Sequence, residues 1–390
     1  MISFIDFAVI SLGIVAQSAG DRAIDVVAGA EVFSRACLSC HRSEGPSAFD
    51  LSTDAARIRR SATAALAVRD GLMPPWLPAT TGSPLRGSRE LSAVDERALL
   101  AWLDAGAPGP LPTTPGEPPH PGRAPLDGAR LEAVTNGWKL GAQPGMAIRT
   151  FAVSPKANAP LLVAGLELNC DSPGLIHRVS LLADSAGFAR RLDTADPEPG
   201  YDAVGDIGLV ASGSAGAVSR LAPRWELPHG FAIRIPPESV FVTEVHADAR
   251  GKVESSTASI DLLPADPESR VLDALSLSGL RPIVVDGNMR AIAILVRTGS
   301  NTQSLRVRAV APDGHETILL DIPRWNERLS EPWVFLDPVQ ICAGSRLTVE
   351  SIKNPLAEQR PELSQARTMT NLGEPVVVIL AADEVDDKRD

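Results

Sequence analysis

Between Gly109 and Leu126 the chain carries seven prolines: Pro110, Pro112, Pro115, Pro118, Pro119, Pro121 and Pro125. Proline has no amide donor and a locked φ, so helix interiors and central strands reject it. The stretch 109–135 therefore reads as a semi-rigid linker, and it divides the 390 residues into parts that fold by different rules.

The part before the linker, 21–108, has helical periodicity. Ile24, Val27, Val32 and Phe33 recur at helical spacing, and 54–71 is rich in Ala and Arg. Ser92 followed by Asp95 resembles a capping box, Leu99, Leu100, Trp102 and Leu103 form an apolar face, and Gly106 and Pro108 end the helix. The part after the linker is strand-like. The β-prone runs are 161–168, 176–182, 231–235, 240–246, 292–296, 305–310 and 376–380. Turn signals such as Pro236-Pro237, Ala249-Arg250-Gly251 and Pro312-Asp313-Gly314 separate them. Short strands at this spacing predict sandwiches or jelly rolls, and the length suits two, 136–265 and 266–384, with an acidic tail at 385–390.

Residues 1–20 hold an apolar run, Ala8–Val15, followed by Gln17-Ser18-Ala19-Gly20, the pattern of a signal peptide. No Lys or Arg precedes the run and Asp6 sits at its edge, so a buried N-terminal helix or a misplaced start codon is the rival reading. Export places the mature protein in the periplasm or otherwise outside the cytoplasm. No later apolar stretch reaches the ~18 residues of a membrane span. With 37 basic against 48 acidic side chains the net charge is −11, which argues against nucleic acid because nothing would neutralise phosphates.

The chain has only four cysteines and six histidines, and three of these ten residues fall together in Cys37-Leu38-Ser39-Cys40-His41. C-x-x-C-H is the pattern of covalent heme attachment. Two thiols one helical turn apart can each add across a heme vinyl group, and the adjacent imidazole is then held beneath the iron. A C-x-x-C redox motif needs no histidine, and a zinc site would lack its fourth ligand. The sixth iron ligand is expected from the same part of the chain. His120 lies in the linker, whereas Met73 lies in Gly71-Leu72-Met73-Pro74-Pro75-Trp76, where two prolines end a helix and fix an extended loop. His/Met ligation gives a heme c that transfers electrons and leaves no position for oxygen. A plain core methionine is the bland alternative.

Met73-Pro74-Pro75-Trp76, Arg89-Glu90-Leu91-Ser92, the ending Trp102–Ala107, and Gly137-Trp138-Lys139-Leu140-Gly141 after the linker together carry a family resemblance. They resemble bacterial proteins in which a small cytochrome c domain is fused to a copper type II, ascorbate-dependent monooxygenase-like region. That region is related to the peptidylglycine and dopamine hydroxylases. The resemblance implies a multidomain fold: a small all-α cytochrome c domain at 21–108, then two all-β jelly-roll-like sandwiches, each with one copper facing a solvent-filled cleft.

The copper motifs are eroded. Where the family has an adjacent His pair, this sequence reads Ile176-His177-Arg178-Val179. Where it has a strand His before a Gly turn, the sequence reads Val245-His246, with Gly251 following. His177 and His246 are thus the remnant of the first copper site. At the second site, Val285–Arg290 contains no His, and Gly373-Glu374-Pro375-Val376 lacks the matching Met. The preferred reading is that both histidines are inherited strand residues without metal. Cys170 and Cys342 read as isolated thiols, and His229 and His315 as turn residues.

Three functions follow. The first is a c-type cytochrome that exchanges electrons with a periplasmic redox partner while its β region has lost catalytic copper. The second is a heme-coupled copper monooxygenase that hydroxylates a C–H bond. The third is a partner-binding β-sandwich protein with an accessory cytochrome.

Overall fold

The computed structural model describes residues 28–43, 47, 49–112, 130–131, 135, 137–155, 159–172, 175–184, 187–202, 213–237, 239–279, 281–298, 301–326, 329–353 and 375–383. The leader, most of the proline-rich stretch with His120, and the acidic tail lie outside them. The chain divides into two compact units. One comprises residues 1–76 and 88–122, the other residues 77–87 and 123–390.

In the first unit, helix α1 spans 28–36, α2 spans Asp54–Arg69 and α3 spans Ala93–Asp104. Thr53 caps α2, its hydroxyl accepting from the Ala56 amide, and Ser92 caps α3 by accepting from the Asp95 amide. Phe33, Leu99, Trp102 and Leu103 are buried in one cluster with Ala65 and Val68. The Phe33 and Trp102 rings lie 5.0 Å apart, and the indole N–H donates to the Pro108 carbonyl at 2.9 Å. Gly29 allows the close approach of α1 to α3, because a Cβ there would stand 2.3 Å from the Ala98 carbonyl oxygen and 2.4 Å from Trp102 Cβ.

The second unit is β-structure. Its first half contains β1 (Arg130–Leu131), β2 (Lys139–Leu140), β3 (Gly145–Val153), β4 (Leu161–Cys170), β5 (Ile176–Asp184), helix α4 (Phe188–Ala195), β6 (Gly213–Ser219), β7 (Arg224–Glu226), β8 (Phe231–Ile235), β9 (Val240–Ala249), β10 (Glu254–Ser255), β11 (Ala258–Pro264) and β12 (Arg270–Val271). The second half contains β13 (Asp273–Ser278), β14 (Ile283–Val284), β15 (Met289–Arg297), β16 (Thr302–Val310), β17 (Glu316–Ile322), β18 (Trp333–Ile341), β19 (Arg346–Lys353) and β20 (Val376–Asp383). The sheets run β1-β11-β4-β8-β12 with β7 beside β4, β3-β9-β5-β6, β13-β20-β15-β18, β14-β19-β16-β17, and the small pair β2-β10.

This corrects the expected architecture of a small all-α cytochrome c domain followed by two all-β jelly-roll-like sandwiches. Among the described residues, strands take 43% against 16% for helix, so the fold is mostly β. No self-contained helical domain spans 21–108, because residues 77–87 leave the helices and belong to the β unit. The strand order is not that of jelly rolls either. The largest sheet is six-stranded, with β7 off its path, and β12 pairs with β8 in parallel. That sheet also ignores the expected boundaries. β1 comes from the stretch read as linker, and β12 lies beyond the break placed at residue 265. One hydrophobic cluster runs from Val163, Leu166, Leu181 and Val245 through to Ile292, Leu295, Val334 and Leu380. The physical reason is burial: the two β halves share apolar surface that separate sandwiches would leave in water.

Candidate functional site

At the end of α1 the chain makes the turn that carries Cys37, Cys40 and His41. The amides of Cys40 and His41 both donate to the Cys37 carbonyl, at 3.2 and 2.8 Å, which winds the five residues into one compact turn. The fold therefore presents both thiols and the imidazole from a single short segment. His41 Nδ1 lies 3.1 Å from the Phe49 carbonyl oxygen and 2.8 Å from the Ser47 hydroxyl. A carbonyl can only accept, so Nδ1 carries the proton and Nε2 keeps its lone pair for a metal. Metal-binding histidines are typically oriented through their second nitrogen in this way. The Phe49 ring stacks on His41 with centroids 5.9 Å apart, and the Arg60 guanidinium lies 4.4 Å over the other aromatic partner, Phe49.

Both cysteines are free thiols here. Burial, with Cys40 close by, pushes the Cys37 thiol up to about 12. A dithiol redox centre needs the opposite, a thiolate stabilised at neutral pH, so the turn is a poor thioredoxin-like site. The residues fit covalent heme: two thiols on one turn and an imidazole with its free nitrogen defined.

Met73 follows α2. Gly71 adopts φ 64, and the amides of Leu72 and Met73 both donate to the Ala67 carbonyl, which stops the helix and turns the chain outward. Met73 is 37% exposed and sits in a bend, joined to Pro74 by a cis peptide bond and followed by Pro75. It is not a core methionine. Of the arginines on α2, Arg57 is buried, donating to the Ser52 and Gly109 carbonyls and pairing with Asp54 at 2.5 Å. Arg69 pairs with Asp104.

His177 and His246 do come together, with ring centroids 5.8 Å apart, and both are buried. Their neighbours are an arginine, a serine and a buried carboxylate. In β5 the register skips from Ile176 to Arg178, so His177 is the extra residue of a β-bulge. Arg178 pairs directly with His246 across the strands, which places both side chains on one face. Ser180 opposite Glu244 continues that face. Glu244 is 2% exposed; one carboxylate oxygen lies 2.8 Å from His246 Nε2 and the other accepts from Arg297 at 2.7 Å. Burial opposes ionisation of Glu244. The Arg297 charge and the His246 hydrogen bond outweigh it and hold the carboxyl well below the usual carboxylate range. The Glu244 carboxylate thus occupies the space beside His246 Nε2 and ties that ring to Arg297 through the shared carboxylate. Among the described residues, no three or more His, Cys, Asp or Glu side chains gather as a metal site.

Sequence reasoning missed Glu244 and Arg297. Glu244 precedes His246 by the strand period of two, a signal that the two share a face. Arg297 lies on β15 and nothing local marks it. Ser47 and Phe49, which orient His41, also carried no signal. Cys170 is half-buried in β4 and Cys342 is exposed; both are free. Burial and the neighbouring Asp171 push the Cys170 thiol up. His229 pairs with Asp266 at the surface, 3.0 Å away. No helix among the described residues is long and apolar enough to cross a membrane.

No family model and no curated protein matches the chain. Among solved structures, the major capsid protein P2 from bacteriophage PM2 aligns with 61% of this chain and 96% of its own length, at 9% identity and a TM-score of 0.23. A similarity at that level carries no argument about fold or function.

Proposed function

We propose that this chain is an exported electron-transfer protein with heme covalently attached at Cys37 and Cys40, and with His41 and Met73 as axial ligands. The observation that carries the reading is the 37–41 turn, in which His41 Nδ1 is committed to the Phe49 carbonyl and Nε2 is left to ligate. When bound, a heme with His and Met ligands supplies one-electron exchange. The protein's residues do the rest. Cys37 and Cys40 anchor the group through thioether bonds. Phe49 and Ser47 fix the imidazole plane. Met73, from the turn after α2, would supply a thioether as a second protein ligand and so keep oxygen from binding. The partner is a redox protein met in the periplasm. We read the β unit as a scaffold without catalytic copper; what supports this is Arg178 beside His246 in the strand register and the Glu244 carboxylate against His246 Nε2.

The test is production with export and heme-maturation machinery, followed by heme staining after denaturation and a pyridine hemochrome spectrum. One covalent heme per chain with a low-spin spectrum is expected. The double substitution Cys37→Ala, Cys40→Ala should abolish the stain. A matured protein without covalent heme would refute the proposal.

A further inference from the structure

The eleven residues 77–87 leave the first unit just after Trp76 and return at Ser88. The neck of this excursion is held by Arg89, whose guanidinium lies 5.2 Å from the centre of the Trp76 ring. Within the β unit the segment lies along β17 and β18. These are edge strands of two different sheets. The Ala79 amide donates to the Asp321 carbonyl at 2.8 Å and the Ser83 amide to the Ile318 carbonyl at 2.8 Å, both on β17. The Arg86 amide donates to Val334, Leu336 donates to the Pro84 carbonyl, and Leu85 bridges Phe335, all on β18. Side chains reinforce the backbone. The Thr81 hydroxyl donates to the Asp321 carboxylate at 2.5 Å, where Arg306 also binds, and the Arg86 guanidinium donates to the Phe335 carbonyl. The fit is close at Gly82, where a Cβ would stand 3.2 Å from the Asp321 amide nitrogen. The strap thus covers two sheet edges that would otherwise present unpaired backbone groups.

Met73 precedes this strap by a short, stiff connection: Pro74, Pro75 and Trp76 are all that separate it from Leu77. Its other side is tied to α2 by the hydrogen bond from its amide to the Ala67 carbonyl. We propose that the strap is a positioning device for Met73: docking of 77–87 on β17 and β18 holds the Met73 loop from its C-terminal side, so that the β unit sets how firmly the thioether stays on the iron. The inference rests on the heme reading above. Two proline-restricted residues cannot absorb much displacement, so a released strap passes its freedom to Met73. Held from one side only, Met73 would leave its ligand position more often and open that position to an external ligand. Met73 is the ligand in this scheme; Thr81, Ser83 and Asp321 act only through position.

Two variants of the full-length, matured protein test the proposal from opposite sides. Thr81→Val with Ser83→Pro removes two hydroxyl donors and an amide donor from the strap, and Asp321→Asn weakens the acceptor on β17. Amide hydrogen exchange over 77–87, with heme absent or present, reports strap release directly. Carbon monoxide binding to the ferrous heme and the methionine–iron charge-transfer band report Met73. Expected is faster exchange in the strap, together with a roughly tenfold rise in the ratio of methionine-off to methionine-on heme. The covalent heme content should be unchanged. Faster strap exchange with unaltered carbon monoxide binding and an unaltered band in both variants would overturn the inference while leaving the heme reading intact. Absence of covalent heme from the parent protein would instead remove the heme reading on which it stands.

Discussion

Glu244 has two partners from different strands and almost no exposure, so it is the residue where a single change should be felt most. Removing one partner of a buried ion pair typically costs ~3–5 kcal/mol, because the other charge stays in a poorly solvating interior. Glu244→Ala should therefore lower the urea midpoint sharply, whereas Glu244→Leu combined with Arg297→Met should recover most of the loss. Equilibrium unfolding of the three proteins decides this; equal loss in the single and the double variant would contradict it. Asp321 makes a prediction about pH. Burial opposes its ionisation, but Arg306 and Thr81 hydrogen bonds outweigh that and lower the carboxyl below its ordinary value. A carboxyl depressed by folding stabilises the native state above its unfolded value of ~3.9, and this contribution is lost as pH falls through the lower folded value. Protection of the 77–87 amides should thus hold at pH 5 and above and fade below ~3.9, with Asp321→Asn showing a flatter pH dependence.

At the scale of elements, the helices are held by a small core in which Trp102 does the most. Truncating a buried aromatic costs ~3–5 kcal/mol, so Trp102→Ala should melt the helical unit well before the β unit, read by circular dichroism at 222 nm. Gly29 should tolerate no side chain, since Ala98 and Trp102 occupy the space a Cβ would take. Gly29→Val should force α1 off α3, and with it disturb the 37–41 turn that follows α1 directly. The element most changed from its expected part is β5. Every residue from Ile176 to Leu182 is buried, so the strand is covered on both faces rather than one, and the bulge at His177 shifts its register against β9 within that packing.

For the whole molecule, the continuous apolar cluster across both β halves predicts cooperative behaviour. Calorimetry should show one transition for the β unit, not one for each half; two resolved β transitions would contradict the shared core. The same packing predicts no stoichiometric copper. Titration of the metal-stripped protein with Cu(II) should show no tight site that depends on His177 and His246, and loss of a tight site in His246→Ala would reverse that conclusion.

Local chemistry is what the sequence determined by itself. The C-x-x-C-H spacing, the cap at Ser92, and the strands at 161–168, 176–182 and 240–246 depend on near neighbours, and near neighbours are written in order. Of the candidate site, the sequence marks Cys37, Cys40 and His41 by their spacing and Met73 by the two prolines that follow it. Phe49 and Ser47, which orient His41, are not marked, because a carbonyl eight residues away is recruited only by the turn's shape. The tertiary structure decided the rest. It merged the two expected sandwiches through shared apolar burial, placed Arg297 against Glu244 from 53 residues away, and drew 77–87 out of the helices onto β17 and β18. Each of these is a pairing between groups distant in sequence, made favourable by removing apolar surface or unpaired backbone from water, and composition and periodicity carry no record of which distant partner that will be.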